Sequence, residues 1–177
     1  MRIVGGKYKG RIFNPDKRFT ARPTTDLAKE SLFNILANRY DFSEMKILDL
    51  FSGTGSIGYE FLSREAGEVT FVDKDHHHIR FIRKITGQLN AQNVRIIQDD
   101  VFRFLKNCPF NFDIVFADPP YEFPFLNEIP KAVFESEVLK EGGLLILEHS
   151  KSHDFSKIPQ FSELRKYGKV QFSFFRT

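Results

Sequence analysis

Phe112-Asp113-Ile114-Val115-Phe116-Ala117-Asp118-Pro119-Pro120-Tyr121 is the stretch on which the reading of this chain turns. Its first six residues form a short apolar run ending in turn residues, the pattern of a buried strand. Two consecutive prolines cannot prolong a strand, because they donate no ladder hydrogen bond and hold φ fixed. The chain must therefore turn at the strand's C-terminal end, which is where open α/β sheets place their ligands. That turn carries the Asp118 carboxylate, the backbone carbonyls beside Pro119 and Pro120, and the ring of Tyr121. Together they offer what a planar base with an exocyclic amine requires: acceptors for its N–H groups and a face on which to stack. An ordinary surface turn opened by Asp-Pro is the competing reading.

Working outward, apolar segments alternate with helical patterns. Thr24-Thr25-Asp26 caps a helix with Leu27, Ser31, Leu32, Ile35 and Leu36 at helical spacing. Strands are predicted at 45–50, 69–72, 94–97, 112–117 and 144–147, the last introduced by Gly142-Gly143. Helices are predicted at 56–64, 76–90, 101–106 and 126–139. Such alternation builds right-handed βαβ units and a parallel sheet covered on both faces. Two strands joined at Gly168, 162–167 and 169–175, form a C-terminal hairpin.

A second motif, Asp49-Leu50-Phe51-Ser52-Gly53-Thr54-Gly55-Ser56-Ile57-Gly58, lies between the first strand and its helix. Its glycines let a ligand approach the backbone closely. Gly53, Gly55 and Gly58 fit the dinucleotide pattern G-x-G-x-x-G, and Asp73 follows Gly53 by twenty residues, so a nicotinamide cofactor must be weighed. Asp49 argues against it. A carboxylate beside a pyrophosphate costs on the order of 1 kcal/mol or more in a partly dry cleft. S-adenosylmethionine instead carries an ammonium and a sulfonium, for which an acid is favourable. Asp73, closing the second strand, can accept ribose hydroxyls. Asp100, following the third strand, is placed for an adenine amine beside the Val101 amide, and equally for capping a helix.

Charge is uneven. Residues 1–22 hold seven basic side chains against Asp16 alone, a net +6, so of the chain's +3 the remainder carries −3. A basic arm on a mildly acidic body suits a polyanion bound through phosphates. Arg2-Ile3-Val4 and Arg11-Ile12-Phe13, flanking Gly5-Gly6 and Gly10, form a small hairpin pattern. With 177 residues the chain is expected to be one domain, comprising a basic hairpin arm at 1–22 and a catalytic body at 23–177. Cys108 is the only cysteine, which excludes a disulfide framework or a cysteine-based zinc site. The absence of a membrane-length apolar run or signal peptide makes a cytoplasmic protein the default. His76-His77-His78 open a helix on which neighbours point apart, so no metal is expected there. Cys108 and the phenylalanines 102, 104, 110, 112 and 116 are read as packing, and His149 and His153 have no recognisable partners.

The segments Arg2-Ile3-Val4-Gly5-Gly6, Arg22-Pro23-Thr24-Thr25-Asp26 with Glu30-Ser31-Leu32-Phe33-Asn34, Asp49 to Gly55, and Asp118-Pro119-Pro120-Tyr121 resemble the bacterial RsmD-type 16S rRNA (guanine(966)-N(2))-methyltransferase family. The resemblance runs from the arm to the fifth strand. It implies a class I S-adenosylmethionine-dependent methyltransferase fold: α/β, Rossmann-like, with a mostly parallel seven-stranded sheet between helices and a small N-terminal hairpin arm. It implies methyl transfer to the exocyclic N2 of a guanine in 16S ribosomal RNA, yielding S-adenosylhomocysteine, with no metal. Asp49, Phe51, Gly53, Gly55, Asp73, Asp100, Val101 and Asp118 would hold the cofactor. Asp118, Pro119, Pro120 and Tyr121 would carry the chemistry, and Lys7, Lys9, Arg11, Arg22 and Thr24 would meet the RNA. Asp73 departs from the glutamate expected in many relatives. The substrate would be 16S rRNA or a small-subunit assembly intermediate, and the protein a monomer. Adenine N6 in DNA suits the same turn and stands as the alternative; a noncatalytic RNA-binding protein is the further one.

Overall fold

The computed structural model describes residues 1–15 and 25–177. Parallel strands β1 (Lys46–Leu50), β2 (Glu68–Asp73), β3 (Val94–Gln98), β4 (Phe112–Ala117) and β5 (Leu139–His149) are followed by β6 (Phe161–Tyr167) and β7 (Val170–Arg176). Among the described residues they form one seven-stranded sheet in the order β3-β2-β1-β4-β5-β7-β6. Only β7 runs antiparallel to its neighbours β5 and β6. The order reverses between β1 and β4, and a ligand crevice opens at such a switch point.

Strand parity sorts the core into two layers, since alternate side chains face opposite sides of a sheet. On one side Ile47, Val69, Phe71, Ile114, Phe116, Ile146, Phe172 and Phe174 pack beneath α1 (Asp26–Ala37), α2 (Ser56–Ser63) and α3 (His76–Gln88). On the other Leu48, Leu50, Val115, Ala117, Leu145, Leu147 and Phe175 pack beneath α4 (Val101–Asn107) and α5 (Ile129–Glu135). The central strands read as unbroken apolar runs because both of their faces are covered.

Several local readings are corrected. The helix expected at 126–139 is a short 3-10 turn at Leu126–Glu128 continuing into α5, which ends at Glu135. Beyond it Glu137 takes a positive φ of 54° and the chain enters β5 at Leu139. Gly142-Gly143 therefore lie within β5, where the pairing with β4 shifts register between Phe112 and Ile114. Glycine marks a bulge here and not a strand entrance. On α1, Leu27 is 71% exposed, and the inward positions are Ala28, Lys29, Leu32, Phe33 and Leu36. Phe110 is not core: it lies at the surface beneath the Arg95 guanidinium, 4.1 Å from its ring centroid. His149 has partners after all: it is buried, with Nδ1 2.8 Å from the Ser150 carbonyl and Nε2 2.8 Å from Ser173 Oγ.

The arm closes on itself and onto α2. Arg2 and Ile12 form an antiparallel bridge, with Ile3 N–H donating to Arg11 O at 3.0 Å. Lys7 N–H donates to Ser63 O at 2.7 Å. Gly6, at φ 73°, sits so close to Ser63 that a Cβ would fall 1.9 Å from its carbonyl oxygen. A buried ion pair seals this contact. Lys29, 1% exposed, places Nζ 3.3 Å from Oε1 of fully buried Glu60, which also accepts the Val4 N–H at 2.8 Å. Arg64 holds the other Glu60 oxygen at 2.5 Å. Breaking a buried pair leaves an uncompensated charge, so Glu60→Ala should destabilise the fold by about 3–5 kcal/mol in urea unfolding. Glu135→Ala, which removes an exposed i,i+4 partner of Lys131, should cost less than about 0.5 kcal/mol. Equal losses would show that the buried pair has no special weight.

Candidate active site

The turns after β1, β2, β3 and β4 surround one pocket of about 440 Å³ at the C-terminal edge of the sheet. Asp49, Phe51, Gly53, Asp73, Asp100, Val101, Asp118, Pro119, Pro120 and Tyr121 all line it, so the two sequence motifs meet in one place. Gly55 stands just behind the wall. It is the N-cap of α2 at φ 77°, and a Cβ there would fall 2.6 Å from the Tyr59 ring. Lys7, Lys9 and Arg11 lie on the arm and are not part of the lining. Arg22 and Thr24 lie outside the described residues.

The glycine turn is fixed from below. Ser52 Oγ donates to Asp49 O at 2.7 Å and accepts the Val72 N–H at 2.9 Å, tying β1's exit to β2. Phe51 takes φ 56°, a left-handed conformation that non-glycine residues adopt at a cost and that clusters at functional sites. Its ring packs 5.1 Å from Phe123, which stacks over Phe102 and meets Phe125 edge-on. Phe123 lines the pocket, while Phe125 is 50% and Tyr121 47% exposed at its rim. Only Tyr121 of the two rim rings was expected from the sequence, because Phe123 and Phe125 lack a motif and gain their place from the turn that Pro119-Pro120 imposes.

Acids dominate the lining. Asp49 is buried, accepts the Gly58 N–H at 3.1 Å, and is pushed up to about 8, chiefly by desolvation with a contribution from the Asp73 charge. Asp118 is raised well above the ordinary carboxyl value, first by desolvation and then by the charges of Glu148 and Asp49. Asp73 uses Oδ2 to accept the Gly53 N–H at 2.8 Å, with His78 Nδ1 at 3.0 Å from the same oxygen, and Oδ1 to accept the Asp75 N–H at 2.8 Å. Much of its acceptor capacity is thus committed to shaping the pocket, and the remaining site is on Oδ1. The His78 contact raises that imidazole's pKa. Asp100 caps α4, accepting the Phe102 and Arg103 N–H groups at 3.1 Å through Oδ1. With Oδ1 so used, Oδ2 is left to face a ligand.

The histidine triplet corrects a reading. Asp75 precedes the first helical turn, and from there Asp75, His76 and His77 bring ligand-type atoms within 4.8 Å of one another, the two rings lying 3.8 Å apart. Asp75 Oδ1 is already the cap for the His77 N–H at 2.7 Å.

A doubly wound sheet with an antiparallel seventh strand inserted beside the fifth, a glycine turn after β1 and an acidic residue closing β2 define the class I methyltransferase fold. More narrowly, the chain matches the family described as Conserved hypothetical protein 95 over residues 1–176 and belongs to it, the RsmD-type family. It is 35% identical over 156 residues to the Ribosomal RNA small subunit methyltransferase D of Haemophilus influenzae, covering 85% of this chain and 79% of that one. The protein of the same name from Escherichia coli K12 is 32% identical over 161 residues, covering 90% and 79%. A solved structure of a hypothetical protein from Thermus thermophilus superposes with a TM-score of 0.87 at 28% identity, covering 100% of this chain and 99% of that one.

The raised Asp49 carboxyl has a consequence for stability. Between the ordinary 3.8 and about 8 the folded chain holds a proton that the unfolded chain has released, so stability falls as pH rises through that window. Asp49→Asn should make this fall shallower, the remainder coming from Asp118, which is shifted in the same direction. Urea midpoints taken near pH 5 and pH 8 test this, and parallel losses in parent and variant would refute it.

Proposed function

We propose that this chain transfers a methyl group from S-adenosylmethionine to the exocyclic N2 amine of a guanine in 16S ribosomal RNA of the small subunit. One observation carries the reading: the Asp118-Pro119-Pro120-Tyr121 turn, the glycine turn and Asp73 line a single pocket. Its chemistry fits a cationic cofactor. Among the described lining residues five are acids, Asp49, Asp73, Asp75, Asp100 and Asp118, against Lys74 as the one lysine or arginine. A pyrophosphate would meet repulsion there, whereas an ammonium and a sulfonium would lower the Asp49 carboxyl towards its ionised form. Bound, S-adenosylmethionine supplies the electrophilic methyl group. Asp73 and Asp100 are suited to the ribose and adenine ends, with Phe51 and Phe123 as apolar walls.

The residues at the turn do the positioning. An aromatic amine is a weak nucleophile because its lone pair is delocalised into the ring. Asp118 and the Pro119 carbonyl accept its N–H groups, localise the lone pair, and stabilise charge developing on nitrogen. Tyr121 offers a stacking face worth ~1–3 kcal/mol, and the base enters unpaired because its amine lies on the pairing edge. The aromatic rim matches a base lifted out of a stack, and the names of the relatives support ribosomal RNA over DNA as its source. The 1–22 and 23–177 division into arm and catalytic body fits this reading, with the body holding the pocket and the arm presenting charge.

The primary test incubates the protein with S-adenosylmethionine and 16S rRNA from a strain lacking the endogenous enzyme, then maps modified nucleosides by mass. An N2-methylguanine supports the proposal; a product only on adenine or only on DNA overturns it. Asp118→Ala should lower turnover by about two to three orders of magnitude, while cofactor affinity falls little, because the residue's main partner is the amine. Near-parent turnover at saturating RNA would remove Asp118 from the chemistry.

The arm contributes along its outer side. Lys9 has its backbone N–H on Gly6 O, Arg11 donates to Gln88 O at 3.3 Å, and Lys7 lies 4.0 Å from Glu65, all of them contacts that a phosphate can outcompete. Replacing Lys7, Lys9 and Arg11 together should weaken RNA binding and flatten its salt dependence by ~0.7–0.9 in slope per lost contact, leaving cofactor affinity alone. Superimposable salt titrations of parent and variant would make the arm purely structural.

A further inference from the structure

Glu148 is not marked by any motif, yet it is 3% exposed at the C-terminal end of β5. Its position follows from register. Phe116 pairs with Ile146 and Ala117 with Leu147, so the next step along both strands sets Asp118 beside Glu148. Parity puts both on the face of Ile114, Phe116, Ile146 and Phe172, the last being Glu148's partner on β7. Asp49 pairs with Phe116 from the other side and belongs to the same face. Asp118 lines the pocket, whereas Glu148 stands behind it and is outside the lining. Among the described residues, the other titratable groups turned towards this edge are Asp49 on β1, Asp73 on β2 and the Tyr59 phenol on α2; the Tyr59 phenol is raised by burial and by the Asp49 charge. His149, the next residue, faces the opposite layer against Phe155.

We propose that Asp118 and Glu148 form a carboxyl pair that holds one proton between them across neutral pH, making Glu148 the residue that positions Asp118 and sets its charge. Two carboxylates side by side in a poorly solvated site cannot both ionise, so the pair titrates in two separated steps. The burial that lifts Asp118, with Glu148 as its largest charge neighbour, is consistent with this. In the singly protonated pair, the shared proton fixes the inner oxygen of Asp118 and leaves the outer one as an acceptor towards the pocket. This inference rests on the methyl-transfer reading above. As the amine nitrogen bonds to the methyl carbon, the C–S electron pair stays with sulfur, giving a neutral thioether. The surplus N–H proton passes to the singly ionised pair, which becomes neutral and later releases that proton to solvent. The fully protonated pair lacks an acceptor, and the fully ionised pair lacks the proton that holds Asp118 in place; activity therefore peaks between the two steps.

Two variants and two readouts test this. Carboxyl carbon NMR on protein labelled at aspartate and glutamate, without RNA, should show a two-step titration for Asp118, identified by its loss in Asp118→Asn. Glu148→Gln, which keeps the shape and a donor, should collapse it to a single step. In methyl-transfer assays the same variant should lose the alkaline limb of the kcat/KM profile that belongs to the pair. Glu148→Ala should lower kcat by about tenfold or more while changing the cofactor Kd much less. A single Asp118 step that is identical in the parent and Glu148→Gln, with superimposable pH profiles, overturns the pair. The NMR arm uses no substrate, so a parent that methylates nothing in 16S rRNA would refute the functional proposal while leaving the pair to stand or fall on its titration.

Discussion

Negative charge gathered at one edge of a parallel sheet is the constraint around which this molecule is organised. Asp49, Asp73, Asp118 and Glu148 lie at the ends of four neighbouring strands, and parity turns all of them to the α1–α3 face. In water such carboxylates would repel weakly; under protein their separation and solvation decide whether they stay charged. Asp73 remains well furnished with donors, from the Gly53 and Asp75 amides and with His78 alongside. Asp49 has a single amide donor, from Gly58, and is driven up to about 8. The gradient in donor supply along the edge is therefore a gradient in ionisation. Charge is kept where a ribose would accept it and is withheld, pending a cation, at the centre.

This arrangement accounts for the aromatic wall. Phe51, Phe102 and Phe123 close the side of the pocket away from the acids, excluding water that would otherwise level the carboxyl differences. The strained backbone of Phe51 is understandable as the cost of placing a ring directly above a glycine turn whose amides are in use.

Much of the site was legible in the sequence because it rests on local chemistry. Two prolines force a turn wherever they occur, Gly53 and Gly55 require positive φ, and Asp100 before Val101 is a cap in any context. Glu148 was not legible, since its importance depends on which strand neighbours β5 and in what register, and neither is encoded within six residues of it. The buried Lys29–Glu60 pair was hidden for a related reason: on isolated helices each is an ordinary surface charge, and only the docking of the arm across α2 buries both. The misread helix end and the early start of β5 share a cause in Glu137 and Gly142, whose positive φ values redirect the chain without interrupting its apolar pattern.

α2 links the two ends of the molecule's chemistry. Its N-terminus is Gly55, the close of the glycine turn, and Gly58 one turn later supplies the donor to Asp49. Its last turn carries Glu60 and Ser63, which hold Val4, Lys29, Gly5 and Tyr8. Eight residues of helix span only about 12 Å, with no hinge between the pocket and the arm. A displacement of the arm by a bound polyanion would therefore act on the same rigid element that presents Gly58 to Asp49. Lys29 adds a second tether, since its ammonium donates to Arg2 O at 2.5 Å while paired with Glu60. The basic arm is thus not an appendage whose charge could be relocated along the chain; its register against α2 fixes where a phosphate backbone would lie relative to the pocket.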